Sequence, residues 1–329
     1  LGNYERFLDI ELTKDHNITT GKVYSNVIQK ERAGEYLGKT VQVVPHIVNE
    51  ITDWIQRVSK IIVSDKEPDI CIIELGGTIG DIETAPFIEA LRLLNMKEDN
   101  KCCFIHVTLI VDNGEPKTKP TQQSIKDLRS LGVNPNFIVL RAKSMLDDNI
   151  MQKISVSCSI PTKNIICNYD TQNIYIVPDI FMRQQFGEMI MTNLGIEIGE
   201  QHDLGYKKIY EHYMGTKKTH TIHAILKNNL KLDEWVHYKE SKVLCQVGIA
   251  GKYVNSQDTY LSLIRAIDHA SFVLGCDIKI IWIDTEQDDN ILYKMADVCD
   301  AIIIPGGFGT RGIDGKLSVC KYARDNNIP

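Results

Sequence analysis

The stretch that most constrains this chain is Cys71-Ile72-Ile73-Glu74-Leu75-Gly76-Gly77-Thr78-Ile79-Gly80-Asp81-Ile82-Glu83. The apolar run from Ile70 to Ile73 predicts a buried strand. It ends on Glu74, where an apolar residue would continue the pattern. Three glycines then loosen the backbone, and two further acids follow. Thr84-Ala85-Pro86 predicts a helix start, with Thr84 as cap and Pro86 in the first turn. Strand, acid, glycine turn and helix is the layout of a ligand site at the carboxyl edge of a parallel sheet. A carboxylate there suits a hard divalent cation beside phosphates. The layout alone fits a tight turn with solvated acids equally well.

The same texture recurs along the chain. Residues 47–63 carry apolar side chains at helical spacing, and so does Phe87, Ile88, Leu91 and Leu94. Cys103 to Val111 reads as a second buried strand, in which His106 is a core histidine with a satisfied side chain. Phe137 to Arg141 is a third strand that again ends on a charge. Asp148 opens a helix, and Asn164 to Cys167 is a short strand. From residue 241 a second α/β unit begins. Lys242 to Tyr253 is a strand with a glycine turn, Tyr260 to Leu274 a helix and Asp277 to Asp284 a strand. Ile291 to Cys299 is a helix, and Ala301 to Ile304 a strand that runs into Pro305-Gly306-Gly307-Phe308-Gly309-Thr310-Arg311-Gly312.

Between these units the chain turns polar. Asp179 to Asp233 holds Lys207-Lys208, Lys217-Lys218, His202, His212, His220 and His223. His220-x-x-His223 has no carboxylate cluster or cysteine pair nearby, so an insertion or linker is the better reading than a metal site. The nine cysteines form no CxxC pair and read as reduced, buried residues of a cytoplasmic protein. Neither Cys299 nor Cys320 follows a strand with a sharp glycine turn, so neither reads as a nucleophile. A net charge of −6 argues against nucleic acid held by counterion release. No apolar run approaches a membrane span. No signal peptide stands out, and Leu1 is not a natural start.

Glu115-Pro116-Lys117-Thr118-Lys119-Pro120-Thr121-Gln122 carries a different chemistry. In an extended backbone Lys117 and Lys119 point the same way and form a clamp for a triphosphate. Thr121 is then placed to cap the following helix, whose free N–H groups also favour anions. A bare KxK is as a rule an exposed basic loop.

Taken as whole strings, these segments resemble one family. ELGGTIGDIE is similar to the EIGGTVGDIE signature of the CTP synthases, which are glutamine-dependent amidotransferases. KTKPTQ is similar to that family's UTP-binding segment, Gly2 to Leu8 to its GxYERF segment, and PGGFGxRG to its class I amidotransferase oxyanion loop. The resemblance covers nearly all of the chain except Asp179 to Asp233. It implies an α/β fold: a P-loop-like, dethiobiotin-synthetase-like parallel-sheet synthetase domain, then the first part of a class I glutamine amidotransferase domain. The expected bounds are 1–178 for the synthetase domain, 179–240 for the insertion or linker, and 241–329 for the amidotransferase part.

The resemblance also implies chemistry. UTP, ATP and magnesium bind the synthetase half, and ATP phosphorylates the uracil O4. Ammonia from glutamine then displaces the phosphate, giving CTP, and GTP activates. Glu74 is the expected metal ligand. Asp81, Ile82, Glu83, Lys117, Thr118, Lys119, Pro120, Thr121, Gln122 and Lys153 are the expected UTP and CTP contacts. Gln42 and Val43 are expected to serve a neighbouring subunit's pocket. Gly306, Gly307 and Phe308 are expected near the glutamine carbonyl, with Phe308 and Arg311 touching GTP. The family expectation is a cytoplasmic homotetramer that also forms filaments, with no nucleic-acid or membrane partner. The chain lacks the family's GK-type ATP loop, the Asp ahead of the GxYERF segment and the cysteine nucleophile. It therefore reads as an interior fragment, inactive as it stands. A non-catalytic nucleotide-binding or assembly subunit stays open on these residues. A dethiobiotin-synthetase relative also stays open, although KTKPTQ and PGGFG in one chain argue against it.

Overall fold

The structure, a computed structural model, describes residues 1–2, 4–5, 10–63, 67–97, 101–171, 174, 177–197, 244–274 and 276–329. His202, His212, His220 and His223 lie outside the described residues, as does much of the Gly2 to Leu8 segment. The chain divides into two units. One is Ile10–Lys217, and the other is Lys218–Pro329 with Leu1–Asp9.

In the first unit three strands form a parallel sheet: β1 (Ile105–Leu109), β4 (Phe137–Ala142) and β5 (Ile165–Tyr169), in the order β1-β4-β5. A short antiparallel pair, β2 (Val111–Asp112) and β3 (Pro116–Lys117), follows β1. The middle strand β4 is apolar at nearly every position because both of its faces are covered. Ile138, Leu140 and Ala142 point to one face with Ile165 and Cys167 of β5. There they meet Ile125 of α4 (Lys119–Ser130) and Ile154 of α5 (Asp148–Cys158). Phe137, Val139 and Ile166 point to the other face and pack on Phe186.

Phe186 opens α7 (Phe186–Leu194), which follows α6 (Val177–Arg183). These helices lie in the region expected to be linker from residue 179. They are instead ordered cover for the sheet, with Phe181 and Phe186 in edge-to-face contact at 5.3 Å. Gln184, between them, closes the open edge of β5. Its Oε1 accepts from the Cys167 N–H (2.8 Å), and its Nε2 donates to the Cys167 carbonyl (2.9 Å). A side-chain amide thus stands in for a missing strand neighbour.

A separate helical core joins α1 (Thr20–Arg32), α2 (Val48–Val58) and α3 (Ala85–Met96) through Val23, Val27, Ile51, Ile55, Ala90 and Leu94. The helix expected over 47–63 ends at Val58, and Ile62 beyond it is exposed.

Two strand expectations change. Residues 70–73 form no strand: Ile72 is 87% exposed, and Ile70 and Ile73 are also exposed. A buried parallel strand needs a hydrogen-bonded neighbour, and no described strand pairs with this run. The β1 strand is covered on one face only, for Ile105, Val107 and Leu109 are exposed while His106 is buried. The covered face is polar. His106 Nε2 pairs with Ser124 Oγ at 2.9 Å, and Thr108 with Thr121 at 3.3 Å, joining β1 to α4.

In the second unit β6 (Leu244–Gly251) lies between β7 (Asp277–Asp284) and β8 (Ala301–Ile303), all parallel. Val247 and Ile249 face α8 (Leu261–Leu274) through Ile267. Ala250 and Ile283 face Leu292 and Ala296 of α9 (Asp289–Asp297) and Val319 of α10 (Ile313–Asp325). Gly248 has no room for a side chain, because a Cβ there would lie 2.9 Å from Cys299 Sγ. All nine cysteines are free. Cys71 and Cys320 are exposed, against the expectation that the cysteines are buried. Among the described residues no helix is long and apolar enough to cross a membrane.

Two outcomes follow from this packing. Gln184→Ala leaves both Cys167 backbone groups buried without partners, which costs about 2–4 kcal/mol in denaturant unfolding. A loss below about 0.5 kcal/mol would contradict the edge-closing role. Burial also holds the His106 imidazole below its ordinary value of 6.5. Below that value the unfolded chain takes up a proton that the folded chain resists. Stability therefore falls as pH drops from about 6.5 toward the lowered folded value, and this term is flat above. Comparing urea unfolding of wild type and His106→Gln at several pH values should show the variant with the shallower slope; equal slopes would refute it.

Candidate functional site

The sites expected from sequence lie on loops of the two units. In the first unit the polypeptide from Glu74 to Thr84 is a turn held from inside by apolar anchors. Leu75 and Ile79 pack against Ile88 of α3 and Leu128 of α4. Gly77 (φ +92°) and Gly80 (φ +99°) adopt backbone that favours glycine. A Cβ on Gly77 would also meet Thr84 Cγ2 at 2.8 Å. Thr84 sits at the N-cap position of α3, but its hydroxyl does not cap. It donates to the Thr78 and Asp81 carbonyls at 3.1 and 3.0 Å and so braces the turn. With Leu75 and Ile79 turned inward, Glu74, Asp81, Glu83 and also the apolar Ile82 are exposed.

The KTKPTQ segment departs from the extended form expected. Lys117 ends β3, Thr118 takes helical angles, and Lys119 is already the first residue of α4, with Pro120 in the first turn. Lys117 and Lys119 therefore lie on a strand-to-helix corner and do not alternate along a strand. Thr121 is not the cap. It is fully buried inside the first turn, against Thr108. Thr118 holds the N-cap position and is buried, and its hydroxyl accepts from Gln122 Nε2 at 3.1 Å. Lys117, Lys119 and Pro120 are exposed at the N-terminal opening of the helix, the positive end of its dipole.

Glu115 pairs with one cation of this corner. Its carboxylate meets Lys117 Nζ at 2.5 Å. The Lys117 hydrogen bond first, then the Lys117 charge and, further off, the Lys153 charge hold the Glu115 carboxyl below its ordinary range. Lys153 projects from α5 and is exposed. The structure thus pairs Lys117 with this carboxylate, with Lys119 two residues along the chain and Lys153 near enough for its charge to be felt. Gln42 and Val43 lie elsewhere in this unit, on the turn ahead of α2. There the Gln42 N–H donates to His46 Nδ1 at 3.1 Å. Arg141, at the end of β4, is exposed in a strand otherwise buried.

No group of three metal-ligating side chains occurs among the described residues. Magnesium does not require one, since it keeps waters and takes one or two carboxylates plus phosphate oxygens. The exposed Glu74 carboxylate fits that mode.

In the second unit, residues 304–312 join β8 to α10. Gly309 (φ +74°) and Gly312 (φ +72°) turn the chain in left-handed backbone. Phe308 is 92% exposed at the tip. Arg311 pairs with Glu286 at 2.8 Å and lies over the Tyr253 ring at 5.6 Å. Beside it a cleft of about 550 Å³ is lined by Thr285, Glu286, Asp288, Asp289 and Asp314. Its carboxylates make the cleft itself a poor seat for a phosphate. Two lysines that the sequence reading passes over, Lys252 and Lys316, reach the loop. Lys316 donates to the Pro305 carbonyl at 2.7 Å, and Lys252 donates to the Phe308 carbonyl. Lys252 stands in the Gly251-Lys252-Tyr253 turn after β6, the one signal that could have drawn attention to it.

Comparison with known proteins gives a consistent result. A family model for the CTP synthase N-terminus matches residues 1–196, and one for class-I glutamine amidotransferases matches residues 256–329. The CTP synthase of Archaeoglobus fulgidus is 42% identical over 332 residues, covering 100% of this chain and 57% of the relative. That of Eremothecium gossypii is 42% identical over 349 residues, with the same coverages. That of Schizosaccharomyces pombe is 42% identical over 348 residues and is covered to 55%. The chain thus spans somewhat more than half the length of the curated relatives it matches. With the N-terminal family model accounting for more than half of its residues and an amidotransferase model following it, the chain belongs to the CTP synthase family.

Proposed function

We propose that the protein to which this chain belongs converts UTP to CTP, with ATP as phosphoryl donor and glutamine as nitrogen source. The observation that carries this reading is the KTKPTQ corner. It sets Lys117, paired with Glu115, and Lys119 at the mouth of α4, inside a segment matched end to end by the CTP synthase N-terminal family model. An arriving triphosphate competes with Glu115 for Lys117. The Lys117–Glu115 pair is solvent-exposed, so it holds the lysine in place without holding it back. Lys119 and the positive N-terminal end of α4 complete an anion site beside Lys117. Asp81, Ile82 and Glu83 stand exposed on a braced turn, suited to reading the rest of a nucleotide. UTP and CTP share the triphosphate, so one clamp serves substrate and product inhibitor alike.

The chemistry needs an activated carbonyl. The uracil O4 is a poor leaving group. Transfer of the ATP γ-phosphoryl group to O4 makes it a good one. Ammonia then attacks C4, the C4–O4 bond breaks, and inorganic phosphate departs with the former O4 oxygen. The nitrogen loses its extra protons and becomes the 4-amino group. Magnesium, when bound, supplies charge neutralisation for the phosphates. On this reading Glu74 would hold it, and Lys117, Lys119 and Lys153 bind and orient the UTP phosphates. In the second unit the Gly306–Gly307–Phe308 loop offers backbone donors to the glutamine carbonyl. Phe308 and Arg311 are the contacts offered to an activating GTP. Assembly as a homotetramer in the cytoplasm, with Gln42 and Val43 reaching a neighbouring copy, belongs to the same reading.

Ammonia-driven CTP formation by the protein at its natural length tests the synthetase assignment, with Glu74→Ala alongside. Wild type should form product, and the variant should fall by at least about 100-fold while still binding UTP. Wild-type protein that binds UTP and CTP yet forms no product would overturn the reading. A fully active variant would overturn the role of Glu74.

A further inference from the structure

The loop after β8 is held from one side by two ammonium groups. Lys316, in the first turn of α10, donates to the Pro305 carbonyl at 2.7 Å. Lys252, only 7% exposed, donates to the Phe308 carbonyl. Both crowd the same flank of the loop. A Cβ built on Gly307 would lie 3.3 Å from Lys252 Cε and 3.5 Å from Lys316 Nζ, whereas one on Gly306 meets nothing within 4 Å. Burying a lysine is costly, and burying one to bind a loop carbonyl is not needed for a turn that glycine already permits.

A trans peptide points its N–H opposite to its C=O. Drawing the Pro305 oxygen toward Lys316 therefore turns the Gly306 N–H away from it. Drawing the Phe308 oxygen toward Lys252 does the same for the Gly309 N–H. None of the backbone N–H groups of residues 306–309 donates to another described residue. The loop so presents unspent donors on the side away from the lysines, with two positive charges behind them. That is the arrangement needed where negative charge develops on a carbonyl oxygen under attack.

We propose that Lys316 and Lys252 are positioning residues of the glutamine-hydrolysing half. They fix the 305–306 and 308–309 peptide planes so that the loop's N–H groups face the developing oxyanion of the glutamine side chain. This rests on the amidotransferase reading given above. Neither lysine touches the reacting atoms. Both act through the peptide planes they hold.

The test uses the protein at its natural length, with Lys316→Met, which keeps side-chain bulk and removes the donor, and Lys316→Arg, which keeps a donor. CTP formation is measured with ammonium and with glutamine, together with thermal unfolding. In Lys316→Met the glutamine-driven kcat should fall about 10-fold or more, short of the about 10²- to 10³-fold loss of a whole oxyanion donor. Its glutamine KM should stay within about twofold, and the ammonia-driven rate and melting temperature should be unchanged. Lys316→Arg should recover most of the glutamine-driven rate. A Lys316→Met enzyme with wild-type glutamine kcat would overturn the proposal. So would a joint loss of both activities with a lowered melting temperature, which marks a folding role. Wild-type protein inactive with both nitrogen sources would overturn the underlying functional reading, and this inference with it.

Discussion

Both units depend on a parallel strand buried on both faces: β4 in one, β6 in the other. Helices on either side leave the doubly covered strands β4 and β6 mostly apolar. This cover leaves the carboxyl ends, where strand gives way to loop, as the places for charge and for backbone groups free of the ladder. The polar features line up there. The KTKPTQ corner follows the β2–β3 pair beyond β1, exposed Arg141 lies near the end of β4, Lys252 follows β6, and the glycine loop follows β8. The helices that cover the faces then turn their N-termini toward the same edges, as α4 does behind Lys117 and α10 behind the glycine loop.

The two loops reach readiness by opposite means. At the KTKPTQ corner the proposed ligands are side chains, and the backbone is fixed by small buried hydroxyls. Thr121 is packed against Thr108, and Thr118 is bonded to Gln122. At the glycine loop the proposed ligand is the backbone, and long side chains hold it. Each arrangement sets donors before any substrate arrives, so binding and reaction do not have to reorganise them. The ELGGTIGDIE turn combines the two. Its apolar anchors Leu75 and Ile79 face inward, and its carboxylates face out.

Much of this was legible in the residues. The continuous apolar runs of β4 and β6 announce strands covered twice. The helical spacing of α2, α3 and α8 announces their buried faces. The whole strings ELGGTIGDIE, KTKPTQ and PGGFG identify a family where shorter patterns would not. Other features were not legible, for physical reasons. The apolar run at 70–73 has the composition of a buried strand, but composition cannot supply the hydrogen-bonded neighbour that a strand needs, and in the structure Ile72 is exposed. Lys117 and Lys119 alternate in sequence. Pro120, with φ preset for a first helical turn, helps start α4 at Lys119 and removes the alternation. Gln184, Lys252 and Lys316 leave no periodic trace, because each reaches a backbone carbonyl far away in sequence or on a neighbouring element. The stretch from Asp179 to Asp233 reads as polar when taken whole, yet Ile180, Phe181 and Phe186 at its start seat two helices on the sheet.

The central claim is that these carboxyl-edge loops serve an amination in which the uracil oxygen leaves as phosphate. The most direct measurement follows that oxygen. The protein at its natural length is supplied with UTP labelled with oxygen-18 at O4, together with ATP, magnesium and ammonium, and the inorganic phosphate is examined by mass spectrometry. The account predicts one labelled oxygen in phosphate for each CTP formed. CTP accompanied by unlabelled phosphate, with the label released to water, would contradict it.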